Sequence, residues 1–268
     1  MNVKKFAGRK SGGPVIAALL MEGHSFPIDA MKQRIAQGPI GGRTPADIKI
    51  EKGFLIFTLG DYLVAIAPMP APYPWSDLEG PCETSWMWPK ATPATTMKRH
   101  RSHVLVTLLN GASDAIKRRH LLTQILKLAA DLPGVIGIFW PEATVVHYPP
   151  VFIKMASSPH NPQVSLLNLW LDFRVVRNPD GSFGLFTTGL TPLGYLELEI
   201  PSISMKPAEL RELAMNIVIY LMDPKTNVKN GDTIGATAEQ QLRVRHVPSQ
   251  FPERGTVMRL EQLGHFSG

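Results

Sequence analysis

The chain has one cysteine, Cys82, in 268 residues. That excludes an intrachain disulfide and any zinc site built from several thiolates, and it favours a reducing compartment, the cytoplasm. Long apolar runs are also missing. "PVIAALLM" follows a basic lead and so imitates a secretion signal. It falls short of the roughly 18 apolar residues that a membrane helix needs, no A-x-A pattern follows it, and glutamate and histidine come next, so it reads as a buried strand. The sequence contains no G-x-S-x-G elbow, H-E-x-x-H pair, Walker loop or G-x-G-x-x-G fingerprint. These are the arrangements by which short motifs announce nucleophiles, zinc or bound phosphates. The residues therefore predict no catalytic set, no metal and no cofactor.

What is present is an ordinary globular composition, 44% hydrophobic and 19% charged, with a formal net charge of +6. A chain of this length can bury a sizeable core without external staples. A basic balance favours acidic partners in general. However, the basic groups are scattered through "KKFAGRK", "MKRHR" and "IKRRH", without the aromatic interleaving or helix spacing of a nucleic-acid reader, so specific nucleic-acid binding is not expected. Nor is a membrane partner; the oligomeric state is left open.

Two stretches repeat one order of elements. In the first, "PVIAALLME" reads as a strand, "FPIDAMKQRIAQG" as a helix closed by Gly38, and "GFLIFTLGDYLVAIAPM" as two strands around Gly60 and Asp61. In the second, "HVLVTLLN" is a strand and "SDAIKRRHLLTQILKLAADLPG" a helix capped by Ser113 or Asp114; "VIGIFW" and "ATVVHY" then supply two strands. The spacing predicts an α+β fold of repeated β-α-β-β units, with antiparallel-rich sheets and helices packed on one side. A third region reads as a meander, "LLNLWLDFRVV", "SFGLFTTGL" and "GYLELEI", followed by the helix "KPAELRELAMNIVIYLMD" and short strands. The expected organisation is a flexible lead over 1–13, one domain over 14–248 with units near 14–70, 100–160 and 166–248, and a loose tail over 249–268.

Three features invite a chemical reading. The glycines Gly184, Gly189 and Gly194 precede alternating strand residues rather than a helix N-terminus, so they predict backbone bends and not a phosphate cradle. Glu197 and Glu199 lie two apart on a strand and are expected on its solvated face. His100 and His103, with His120 and His147 elsewhere, lack the regular spacing of zinc ligands and read as boundary residues. "NGDTIG" reads as a turn, with Asn230 and Gly231 left-handed and Asp232 capping amides.

Between the repeats lies a Pro/Trp-rich connection, 68–97, whose core is "PYPWSDLEGPCETSWMWP". It is acidic inside a basic chain, and loops of such length usually carry function. Tyr73, Trp75, Trp86, Met87 and Trp88 offer large apolar area, while Asp77, Glu79 and Glu83 offer charge. Together they form the candidate protein-binding surface. In the competing reading the tryptophans fold inward and hold the connection against the sheet. Cys82 reads as an unreactive packing thiol.

The runs "PWSDLEGPC...SWMWP", "HRSHVLV", "GLFTTGLTPLGYLELE" and "NGDTIG" resemble, in that order and over roughly Val15 to His246, a bacterial domain-of-unknown-function family found beside secreted toxins. The resemblance implies a non-enzyme that binds a type VI secretion nuclease toxin in the cytoplasm and stops it acting on DNA. The alternative is a hydrolase or a nucleic-acid binder using the basic surface, which would lose activity on substitution of His103, Glu197 or Asp232.

Overall fold

A computed structural model describes residues 13–89, 93–111, 114–235 and 241–263. The lead over 1–13 therefore lies almost wholly outside the described residues. The chain forms two compact units, one within 10–170 and one within 171–268, where the sequence suggested a single domain.

The first unit begins with β1 (Val15–Met21), whose "VIAALLM" is buried along almost its whole length. Helix α1 (Ile28–Ala36) follows, then β2 (Pro45–Glu51), β3 (Phe54–Leu59) and β4 (Tyr62–Met69). The second repeat supplies β5 (Ser102–Asn110), α4 (Ala115–Ala129), β6 (Val135–Trp140) and β7 (Val145–His147), with α2 (Trp75–Thr84) and α3 (Pro93–Met97) in the connection between them. Helix α4 starts where its cap predicts: the Asp114 carboxylate accepts the Ile116 and Lys117 amides, both at 3.0 Å, satisfying donors that a helix start leaves open.

The seven strands lie in the order β2-β3-β4-β5-β1-β6-β7 and pair antiparallel throughout. Each repeat thus lends strands to the other, since β4 pairs with β5 and β6 pairs with β1. Strand β2 was not anticipated, because "PADIKIE" is polar and mostly exposed at the sheet edge. Val64, Ile66, Val104, Val106, Ala17 and Leu19 share one buried face by register, and α4 packs on β1 and β5. Helices α5 (Pro149–Ala156) and α6 (Pro162–Trp170) close the unit. The sequence suggested that the third region opened with a strand at Leu166, but that segment is α6. A short apolar run cannot by itself distinguish a buried helix from a strand.

The second unit holds β8 (Asp172–Arg177), β9 (Phe183–Thr188), β10 (Leu198–Ile203), α7 (Pro207–Met222), β11 (Thr233–Ile234), β12 (Leu242–Pro248) and β13 (Thr256–Gln262). Its sheet order is β11-β12-β13-β10-β9-β8, parallel only at β10–β13. The expected loose tail is therefore corrected: β13 is an interior strand with Val257, Met258 and Leu260 buried. Helix α7 packs on β8 and β9 through Leu210, Ala214, Ile217 and Val218.

The glycines serve the backbone. Gly189 and Gly194 have φ of 111° and 92°, and a Cβ on Gly184 would stand 2.9 Å from the Pro201 carbonyl oxygen of β10. In "NGDTIG", Gly231 is left-handed with φ 93° and Asp232 accepts the Lys229 amide at 2.7 Å. Asn230 is not left-handed; its side chain instead accepts the His246 amide at 2.8 Å.

Two measurements follow from these contacts. Gly184→Ala should lower stability by about 1–3 kcal/mol in urea titrations, because backbone on the neighbouring strand must move to admit the methyl group. His147 is buried on β7, donates from Nε2 to the Leu169 carbonyl at 2.9 Å, and is pulled down to about 4 by burial. The native ring is then neutral while the unfolded ring titrates near 6.5. Its contribution is complete above that value and is lost as pH falls toward 4, on the order of 3 kcal/mol in full. Urea midpoints for His147→Gln should accordingly depend less steeply on pH between 7 and 4 than those of the parent.

Candidate functional site

The connection is built onto the sheet face opposite α4. Ala18, Leu20, Phe139 and Val146 form that face, and Leu78, Cys82 and Met97 seal it, with Tyr73, Trp75 and Trp88 packed around them. In α2, Leu78, Pro81 and Cys82 turn inward while Asp77, Glu79 and Glu83 stay exposed. The fit is close, because a Cβ on Gly137 of β6 would stand 2.6 Å from the Met97 sulfur.

Four polar side chains fix this segment. Ser85 Oγ and Trp88 Nε1 both donate to the Val146 carbonyl, at 2.7 and 2.8 Å. His100 places one ring nitrogen against the Met97 carbonyl and the other 3.1 Å from the Tyr73 carbonyl, and His103 Nδ1 donates to the Ala71 carbonyl at 2.8 Å. The histidines of "HRSH" thus hold both ends of the connection, a role the sequence reading did not assign beyond placing them at a boundary. The visible signal was their position at the entry to β5, opposite a proline-rich segment short of hydrogen-bond donors.

Of the candidate interface residues, then, Tyr73, Trp75 and Trp88 are half-buried supports, Met87 is half-buried, and Trp86 is 49% exposed. Tyr73 meets Phe139 and His103 edge-on at 5.1 Å each. Trp75 donates to Glu79 at 3.3 Å and carries the Lys98 ammonium 5.3 Å above its ring. Among the described residues, Asp77, Glu79 and Glu83 form no ion pair with a basic side chain. The outcome is an acidic ledge seated on the sheet beside the exposed indole of Trp86.

The second unit corrects the expectation for Glu197 and Glu199, which are buried. Glu197 accepts Thr187 Oγ1 at 2.8 Å and the Gly189 and Thr191 amides at 3.0 and 2.9 Å, thereby tying down the glycine loop. Glu199 pairs with Arg259 at 3.2 Å and accepts from Ser249 Oγ and, at 3.4 Å, from the Gln250 amide. The chain after β12 therefore covers the face that alternation alone assigned to solvent. Arg254 lies 4.7 Å over Phe186 and 5.9 Å over Phe251, donating also to Thr188 Oγ1 at 2.8 Å. Burial pushes the Asp172 carboxyl up despite Arg174 at 2.9 Å, and it pulls Arg211 down to about 10. His103, Glu197 and Asp232, the residues an enzyme reading would have used, each bond to backbone groups. Among the described residues, no group of three or more His, Cys, Asp or Glu side chains is placed to hold a metal ion, and no helix is long and apolar enough to cross a membrane.

Residues 186–261 match the model of a domain of unknown function, DUF4261. The matched span contains Phe186, Glu197, Glu199, Arg254 and Arg259, while Asp172 and Arg174 of β8 precede it. No curated protein and no solved structure matches the chain.

Cys82 supplies the test of how firmly the ledge is seated. Burial, with Glu83 adding to it, pushes its thiol up to about 12, so the nucleophilic thiolate is scarce at ordinary pH. With Ellman's reagent at pH 8, Cys82 should stay unreactive in the native protein and react fully in urea; rapid native labelling would mean that α2 lifts readily from the sheet.

Proposed function

We propose that this protein is a non-enzymatic immunity protein that binds a cognate type VI secretion nuclease toxin in the cytoplasm and prevents it from acting on DNA. The observation that carries the reading is the acidic ledge. Asp77, Glu79 and Glu83 are exposed on one helix, held to the sheet through Leu78 and Cys82 beneath and through the hydrogen bonds of Ser85 and Trp88. A nuclease presents lysines and arginines where DNA binds, and exposed carboxylates on a helix seated on the sheet are complementary to such a surface. Complementary charge raises the association rate and sets orientation. Trp86 beside it supplies the kind of side chain that dominates interface energy.

The sequence resemblance described above supports the same role, and within that family the chain resembles TsiT, an immunity protein of a type VI nuclease effector. The net charge of +6 does not oppose it, since recognition depends on the local field over about a Debye length and the ledge is acidic.

The test is the triple variant D77K/E79K/E83K, assayed against a nuclease toxin that the parent protein binds and inhibits. Association should slow by about tenfold or more at low salt, with DNA cleavage restored in proportion. The melting temperature should hold, because exposed charges contribute at most about 1 kcal/mol to folding. A variant that binds and protects like the parent would remove this segment from the interface.

A further inference from the structure

Beside the ledge lies a groove of about 460 Å³, and its walls include Trp88, Tyr148, Pro149, Ile153, Ile136 and Leu132. Trp88 and Tyr148 stand 5.2 Å apart at a 47° tilt, forming one wall. The charged groups at the rim, Arg99 and Asp131, are engaged within the protein, Arg99 with Glu22 at 3.3 Å and Asp131 with Arg34. The indole N–H of Trp88 is committed to the Val146 carbonyl. The aromatic wall therefore presents apolar surface and not the free indole donor that would bind the carbonyls of a proline-rich strand.

We infer that this groove is an anchor site for an apolar side chain projecting from a cationic polypeptide surface. Two features select that occupant. The groove and the ledge share one continuous segment, since the stretch from Trp75 to Thr84 carries the carboxylates and Trp88 lines the groove. A partner lying across both meets negative charge at one end and a mainly apolar cleft at the other. The groove is concave and mainly apolar, a form that takes part of a large side chain out of water. This inference rests on the ledge being a binding surface, as proposed above, but it does not require the partner to be a nuclease.

The probes are two fluorescein-labelled lysine-rich peptides, identical except for a central phenylalanine in one and alanine in the other, read by fluorescence anisotropy at low salt. The phenylalanine peptide should bind about tenfold more tightly, as expected when one aromatic side chain leaves water. Ile153, half-buried on α5 at the groove, is changed to Arg and, separately, to Glu, with melting temperature as the folding control. Both variants should bring the phenylalanine peptide to the level of the alanine peptide. A phenylalanine advantage that survives in Ile153→Glu, or equal binding of both peptides by the parent, would overturn the anchor site and leave charge alone. If the peptides behave as expected but DNA cleavage is not inhibited, the nuclease reading fails and the groove stands. If cleavage is inhibited equally by parent and both variants while peptide discrimination is absent, the groove fails and the nuclease reading stands.

Discussion

Strand β1 is apolar on both faces, and the first unit is arranged around that constraint. A strand of alternating polarity needs cover on one side only, whereas "VIAALLM" exposes almost nothing on either, a pattern usual where both sheet faces are covered. Helix α4 covers one face. The other is covered by chain that leaves the sheet after β4 and returns before β5, the Pro/Trp-rich connection. Its length and its tryptophans thus have a structural cause. The acidic ledge is the outer surface of a lid that the core required in any case.

Much of this was legible because it is local. Asp114 announces the start of α4, and the apolar positions of α4 and α7 recur at helical spacing. The doubled order of elements showed through because each repeat keeps its own strand and helix patterns. The non-local features were not legible. Glu197 and Glu199 alternate with leucines as a wet strand face would, and period-two alternation cannot say whether water or a returning segment lies opposite. Here Ser249 and Arg259 do, from distant parts of the chain. Strand β2 pairs through its backbone with little apolar signal, and α6 is as apolar as the strand it was mistaken for. At the candidate site the residue types singled out the segment but could not divide its aromatics into supports and exposed groups. That division depends on Val146, a β7 residue whose carbonyl receives both Ser85 and Trp88.

The two readings of the tryptophans are therefore compatible. Trp75 and Trp88 pack against the sheet, and their placement holds the exposed groups still. Preorganisation of this kind lowers the ordering cost of association. It also places opposite demands on one short segment, apolar below and acidic above, which a helix satisfies with successive residues such as Asp77 and Leu78.

Strand β13 sits between β12 and β10, and its Arg259 is the ion-pair partner of the fully buried Glu199. On the ribosome, β8, β9, β10 and α7 emerge well before that strand. Until Arg259 clears the exit tunnel, Glu199 has no guanidinium beside it, and a carboxylate held out of water without a partner is strongly unfavourable. The centre of the second sheet is therefore complete only once β13 is in place, and the buried charge pair forms together with that strand pairing.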